Sequence, residues 1–340
     1  MTTTTPRAPA PTLGPLGTGS SVPDRIVGND EVGAPAGVDD AWIRRKTGIG
    51  ERRWADDGVA TSDLACAAAS AALADADVGV AELSLIVVST STPDSPQPPT
   101  AAVLAERLGA PPTAAAFDLN AVCSGFVFAL DVARRYLADG GDLHAQGRAL
   151  VVAADVYSPI VDPADRRTAV LLGDGAGAAV VGPTDGTRGV LGTRLLTFGD
   201  HQDLIKVTAG GSRVPTSEST VARGEHYFTM RGREVAGFVH DHVPGAVDTL
   251  LADLDVDRAD VAHVVPHQAN GVMVETLRED LDLPRARVHR TVERFGNTGS
   301  ASVAVTLDDA ARAGRLHAGD LVLLAAFGGG MSTGLALIRW

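Results

Sequence analysis

Positive charge is in short supply. The 29 Lys and Arg are outnumbered by 42 Asp and Glu, a formal net charge of −13 over 340 residues. Such a surface repels phosphate backbones and excludes non-specific nucleic-acid binding. The densest basic cluster is Arg44-Arg45-Lys46, with Arg52-Arg53 close behind. It reads either as a solvated face or as a phosphate contact. Cysteine is scarcer still, with Cys66 and Cys123 the only two. That excludes a disulfide framework and a cysteine-built zinc site. Cys66 sits in an Ala-rich helical pattern and is expected as a small core residue. His240-Asp241-His242 has no supporting ligand cluster and reads as surface helix, so no metal is expected. Aromatic residues are only 4% of the chain against 38 glycines, so small residues must pack closely. No apolar stretch reaches the roughly 20 residues that cross a bilayer, so no membrane partner is expected. Residues 1–15 are rich in Thr and Pro and lack the charged-then-apolar pattern of a signal peptide. A disordered tail and a reducing, cytoplasmic setting are expected.

What is present is an alternation of apolar β-like runs with helical patterns, the signature of α/β layers. Helices are predicted over 61–75, 100–108, 123–138, 270–281 and 300–313. Strands are predicted over 83–89, 114–119, 149–154, 176–181, 261–265, 321–326 and 335–338, with a further β-like run at 169–172. Gly140-Gly141 supplies a helix stop. The turn Pro183-Thr184-Asp185-Gly186 is the best internal boundary, dividing the chain into 16–183 and 184–340. The second half repeats the logic of the first, which suggests a duplicated βαβαβ-type core. Gly173-Asp174-Gly175-Ala176-Gly177 imitates a dinucleotide loop, but a β-like run follows it and not a helix. It reads as a tight turn near the active site, and no cofactor is expected.

Three polar residues stand where elements change. Cys123, in Leu119-Asn120-Ala121-Val122-Cys123-Ser124-Gly125-Phe126, follows an apolar run and opens a helix. The positive end of a helix dipole there favours a thiolate, the nucleophilic form. The competing reading is a buried structural cysteine. His267 ends the apolar run 261–265 and is followed at once by Gln268-Ala269-Asn270. Asn297 lies in Phe295-Gly296-Asn297-Thr298-Gly299-Ser300, before another helix. One Cys, one His and one Asn at element boundaries make a candidate nucleophile set.

These segments carry a specific resemblance. Trp42-Ile43, Thr47-Gly48-Ile49, Ala121–Phe126, Asp165-Arg166, Gly173–Ala178, His267–Asn270, Gly296-Asn297-Thr298 and Phe327-Gly328-Gly329-Gly330 occur in family order over about residues 15–340. Together they resemble the β-ketoacyl-acyl-carrier-protein synthase III family, including members that prime polyketides. The resemblance implies a thiolase-like five-layer αβαβα fold of two fused βαβαβ-type halves, the first holding the nucleophile and the second the His, the Asn and the Gly-rich loop. It implies an acyltransferase that takes an acyl group from acyl-CoA onto Cys123. A malonyl thioester, expected as malonyl-acyl carrier protein, is then decarboxylated and condensed to a β-ketoacyl thioester, starting a fatty-acid or polyketide chain. The backbone N–H groups of Cys123 and Gly329 would form the oxyanion hole. His267 and Asn297 would donate to the malonyl thioester carbonyl. Trp42 and Arg166 would sandwich the CoA adenine, with Lys46 near a phosphate.

The family also implies a homodimer, with the proline-rich stretch 93–99 crossing its interface. One departure concerns the carrier. Many relatives place an Arg where this chain has Val272, in the patch that docks the acidic carrier protein. Arg285, Arg287 and Arg290 are the candidates to replace it. Two other functions stay open at this stage: a non-decarboxylating acyltransferase acting on a carrier protein, hydroxyl or amine, and an inactive carrier-binding scaffold.

Overall fold

The computed structural model describes residues 12–139 and 147–340. The Gly140-Gly141 stop and residues 1–11 of the expected tail lie outside the described residues. The end of that tail is corrected. Leu13–Ser21 forms strand β1, buried at Leu13, Gly14 and Pro15. A strand built from Gly, Thr and Ser carries little of the Val/Ile/aromatic signal by which strands are recognised.

Fourteen strands and ten helices follow in the described residues. They are β1, β2 (Ile26–Gly28), α1 (Asn29–Ala36), α2 (Asp40–Thr47), β3 (Glu51–Arg53), α3 (Thr61–Ala76), β4 (Leu83–Ser89), α4 (Thr100–Leu108), β5 (Ala115–Leu119), α5 (Gly125–Asp139), β6 (Arg148–Asp155) and β7 (Gly175–Pro183). After the turn come β8 (Gly189–Thr197), β9 (Ile205–Val207), α6 (Glu218–Ala222), β10 (Phe228–Met230), α7 (Gly232–Asp253), β11 (Val261–Pro266), α8 (Gly271–Leu281), β12 (Arg287–Val288), α9 (Val292–Phe295), α10 (Ser302–Arg312), β13 (Leu321–Gly328) and β14 (Ser332–Arg339). The β-like run 169–172 is not a strand. Leu172 makes one isolated parallel bridge to Asn297.

Two five-stranded sheets organise the chain, ordered β5-β4-β6-β7-β1 and β12-β11-β13-β14-β8. In each, the first three strands are mutually parallel and the last two antiparallel. The halves therefore repeat one pattern. Side-chain alternation with a period of two gives each sheet two apolar faces. Leu85 and Val87 of β4 join Val322, Leu324 and Ala326 of β13 in a core that also holds Phe126, Val127 and Leu130 of α5 and Val303 and Leu307 of α10. Ile86 and Val88 face α3 and α4 on the outside of the first sheet. Leu323, Ala325 and Phe327 face α7 and α8 on the outside of the second. The result is five layers, α3/α4, sheet, α5/α10, sheet, α7/α8. The carboxyl ends of β4, β5 and β6 and those of β11 and β13 point to a common region, the usual place for a ligand in parallel sheets.

Candidate active site

Cys123 is brought to that region by a forced turn. Between β5 and α5 the chain makes a single 3-10 turn over Val122–Ser124, and Val122 adopts φ +47°, an outlier for a β-branched residue. Asn120 Oδ1 accepts the Val122 N–H at 3.1 Å, and the Ser124 hydroxyl donates to the Ser332 carbonyl at 3.0 Å. The turn is thus tied to the loop after β13. Gly328, where that loop begins, admits no side chain. A Cβ on Gly328 would sit 2.6 Å from Cys123 Cβ and 3.1 Å from its sulfur. The backbone N–H groups of Gly329 and of Cys123 itself are both directed at the sulfur.

His267 follows β11 and is 3% exposed. Its N–H donates to the Ala325 carbonyl at 2.8 Å, and its ring stands edge-on to Phe327, with centroids 5.3 Å apart. Nδ1 lies 2.6 Å from Ser302 Oγ. That oxygen also accepts the Gln268 N–H, at 3.4 Å, so its own proton is free for the ring. The bonding network therefore assigns Nδ1 as acceptor and Nε2 as the protonated nitrogen. Burial pushes the ring down to about 3, so it is a neutral donor at physiological pH. Asn297 is oriented locally too. Its Oδ1 accepts the Gly299 N–H at 3.0 Å, and its backbone is fixed by Leu171 and Gly173 at 2.8 and 2.9 Å. That places the Gly173 turn beside it.

Cys123, His267 and Asn297 all line one narrow cavity of about 30 Å³. Its other walls include Tyr157, Phe228, Met230 and Met273. The aromatic pair Tyr157–Phe228 packs edge to face at 5.7 Å. Met230 and Asn270 are shared with a mouth of about 620 Å³ lined also by Trp42, Lys46, Arg166, Arg231 and Arg233. Asp39 caps α2 through the Trp42 N–H at 2.7 Å, and the Arg166 guanidinium lies 5.9 Å from the Trp42 ring centre.

Several expectations are corrected here. The expected thiolate is not the resting form. Burial, followed by the negative charge of Asp155, pushes the Cys123 thiol up to about 12. A helix dipole worth about 1 kcal/mol, less than one pKa unit, cannot offset that. Arg52 is no phosphate contact. It is wholly buried, bonded to Val27, Asn29 and Val170, and burial lowers it to about 10. Cys66 is half-buried, not fully in the core. His242 is half-buried between Phe198 and Phe238, while His240 is exposed and bonds Asp280 at 2.8 Å. Arg290 is engaged by Glu275 and Glu293, and neither it, Arg285 nor Arg287 lines the mouth. Sequence reasoning missed Ser302, Tyr157, Phe228, Arg231 and Arg233. Only Ser302 carried a signal, five residues after Asn297 at the start of the predicted helix 300–313.

The family models for 3-oxoacyl-[acyl-carrier-protein] synthase III match residues 117–199, and for its C-terminal region residues 251–340. The chain is 57% identical to an acetoacetyl CoA synthase of Streptomyces sp., covering 96% of this chain and 98% of that one. It is 40% identical to a β-ketoacyl-[acyl-carrier-protein] synthase III of Caldanaerobacter subterraneus, covering 96% and 97%. A priming β-ketosynthase from a polyketide biosynthetic pathway superposes with a TM-score of 0.88 at 34% identity, covering 98% of both chains. With its thiolase-like fold and a cavity that joins Cys123 to His267 and Asn297, the chain belongs to the 3-oxoacyl-[acyl-carrier-protein] synthase III family of condensing acyltransferases.

Proposed function

We propose that the chain loads an acetyl group from acetyl-CoA onto Cys123 and condenses it with malonyl-CoA, releasing acetoacetyl-CoA and carbon dioxide. The observation that carries this is the meeting of Cys123, His267 and Asn297 on one cavity in a chain 57% identical to an acetoacetyl CoA synthase. In the first half-reaction the Cys123 sulfur attacks the thioester carbonyl, and the thiol proton leaves with the CoA sulfur. The carbonyl oxygen becomes an oxyanion between the N–H groups of Cys123 and Gly329. In the second, the malonyl thioester carbonyl accepts from His267 Nε2 and Asn297 Nδ2. The bond to the carboxylate breaks, carbon dioxide leaves, and the enolate carbon attacks the acetyl carbonyl. The carbon–sulfur bond to Cys123 then breaks, and the sulfur takes up a proton from solvent.

Trp42, Arg166 and Lys46 bind CoA at the mouth, helped by Arg231 and Arg233. A flat ring needs about 7 Å between the groups that sandwich it, so the exposed Arg166 must swing outward from 5.9 Å. The methionines Met230 and Met273 are the flexible walls that give way to the pantetheine arm. The Tyr157–Phe228 pair beside the sulfur favours a short acyl group. On α8, Val272 is half-exposed, Glu275 and Glu279 are paired with Arg278, and Asp280 with His240, so the helix offers an acidic carrier protein no free cation. That favours CoA as the malonyl carrier. Malonyl-acyl carrier protein is the second reading, favoured by the synthase III relative.

The chain acts as a homodimer in the cytoplasm. Edge strand β5 lies open with Phe117 38% exposed, and the exposed prolines of 93–99 sit beside it. Its two halves, 16–183 and 184–340, each supply one side of the site. The test is release of label from carboxyl-labelled malonyl-CoA or malonyl-acyl carrier protein in the presence of acetyl-CoA. The expected result is labelled carbon dioxide and acetoacetyl-CoA from the CoA donor. Activity with the carrier protein alone favours the second reading. Acetylated Cys123 without carbon dioxide from either donor overturns condensation.

A further inference from the structure

Of the buried ionisable groups that the chemistry above leaves unused, one adjoins the cavity wall. Asp155 ends β6, is fully enclosed and lies two residues before Tyr157 in the cavity wall. Its Oδ1 accepts from the hydroxyls of Thr90, Ser91 and Thr92 at 3.1, 3.1 and 3.2 Å and from the Ser91 N–H at 2.8 Å. Its Oδ2 accepts from the Ser300 N–H at 2.7 Å. Burial raises its pKa on balance, and these donors offset that only in part. A protonated carboxyl would have to turn a donor toward groups already placed to donate, so the ion is the form the site is built for.

Two links run from this carboxylate to the reacting groups. The first is geometric. Gly299 adopts φ +58°, and a Cβ there would lie 2.4 Å from Asp155 Oδ2 and 2.3 Å from the Tyr157 ring. The Gly299 N–H holds Asn297 Oδ1, which leaves the amide nitrogen as the group free to donate. Asp155 thus fixes the turn that orients Asn297. The second is electrostatic, because its charge acts on the Cys123 sulfur and opposes the thiolate. The other titratable groups around it are Tyr157, whose hydroxyl lies 2.7 Å from Ser91 Oγ, the neutral His267 on the same cavity, and Asp174, bonded to Ser158.

We propose that Asp155 is a positioning residue for the condensation half-reaction, its Oδ2 fixing the Gly299–Ser300 turn that aims the Asn297 amide. The inference rests on reading Cys123 and Asn297 as reacting residues, and the controls separate the two. If Asn297→Ala condenses normally, that reading fails, whatever Asp155 does.

Asp155→Asn keeps the shape and removes the charge. Iodoacetamide labelling of Cys123 at pH 8, mapped by peptide to separate Cys66, should quicken about three- to fourfold for a drop of one pKa unit, after the accompanying loss of nucleophilicity. Acetylation by acetyl-CoA should persist, while carbon dioxide release falls by roughly tenfold or more, as for a displaced catalytic donor. Gly299→Ala keeps the charge and displaces the turn. It should lose condensation with the labelling rate of Cys123 unchanged. This second variant tests the geometric link if Asp155→Asn does not fold by circular dichroism. Labelling unchanged in folded Asp155→Asn overturns the electrostatic link. Condensation within about twofold of wild type in Gly299→Ala, well short of the loss expected from a displaced donor, overturns the geometric one.

Discussion

Cys123 should be a sluggish thiol in the resting enzyme, against the usual expectation for a catalytic cysteine. The perturbation is pH. With the thiol pushed up to about 12, roughly 3 in 100,000 molecules carry the thiolate at pH 7.5. An ordinary thiol near pKa 8.5 is about one-tenth ionised at that pH, a ratio of about three thousandfold. A more basic thiolate is also a stronger nucleophile. With a Brønsted slope of about 0.45, the 3.5-unit difference returns roughly fortyfold. Cys123 should therefore react with iodoacetamide about a hundredfold more slowly than glutathione. The assay is alkylation followed by peptide mapping between pH 7 and 10. The Cys123 rate should climb about tenfold per pH unit without levelling, as for a group that titrates above the range. A plateau below about pH 8.5, the range of an ordinary thiol, would mean that the N–H groups of Gly329 and Cys123 outweigh burial and Asp155, and the reasoning would fail.

Removing the side chain of His267 or Asn297 should leave acetylation of Cys123 intact and cut carbon dioxide release by roughly a hundred- to a thousandfold, the usual cost of losing one such donor; intact-protein mass and labelled carbon dioxide measure the two steps separately. Gly328→Ala should abolish acetyl loading in a folded protein, because its Cβ would meet Cys123 at 2.6 Å, and normal loading would show that the loop shifts freely. Phe228→Ala should extend the accepted primers beyond acetyl by removing half of the aromatic wall beside the sulfur, read as acyl masses on Cys123 from a series of acyl-CoAs; an unchanged chain-length preference would place the limit elsewhere.

Much of the fold is written in local pattern. β4 and β11 are continuous apolar runs because both their faces are buried, and such runs are legible as parallel strands. α3, α4 and α8 carry their boundaries in the sequence. β1 and β8 do not, because glycines interrupt both and a proline and two serines weaken β1 further. α7 was legible only around 240–242, for a different reason. Pro244 lies inside it, and such a residue ordinarily ends a helical pattern. The three candidate reacting residues were legible because each stands where an apolar run stops and a helix begins. Asp155 stands in a similar place, at the end of β6, but nothing local distinguishes a carboxylate that accepts five distant donors from one that meets solvent. Arg52 misled for the same reason. A basic cluster looks solvated until the fold wraps Val27, Asn29 and Val170 around one member.

The duplication explains why the site needs both halves. Each sheet ends its three parallel strands at the same level, and each half contributes what its own strand ends carry. Cys123 comes from the turn after β5, while His267 and the glycine loop come from the ends of β11 and β13. The first half also supplies Asp155, and its charge opposes a free thiolate. The second supplies uncharged donors, His267 held neutral by burial and Asn297 fixed through Gly299. A cationic histidine beside the sulfur would stabilise the thiolate and leave no neutral N–H for an enolate oxygen. A buried, uncharged His–Asn pair facing a protonated cysteine keeps the donors available for charge that develops only during decarboxylation. The same dry interior that makes Cys123 a poor free nucleophile therefore makes the site a good host for an enolate, and separating the two effects requires variants on both sides of the duplicated fold.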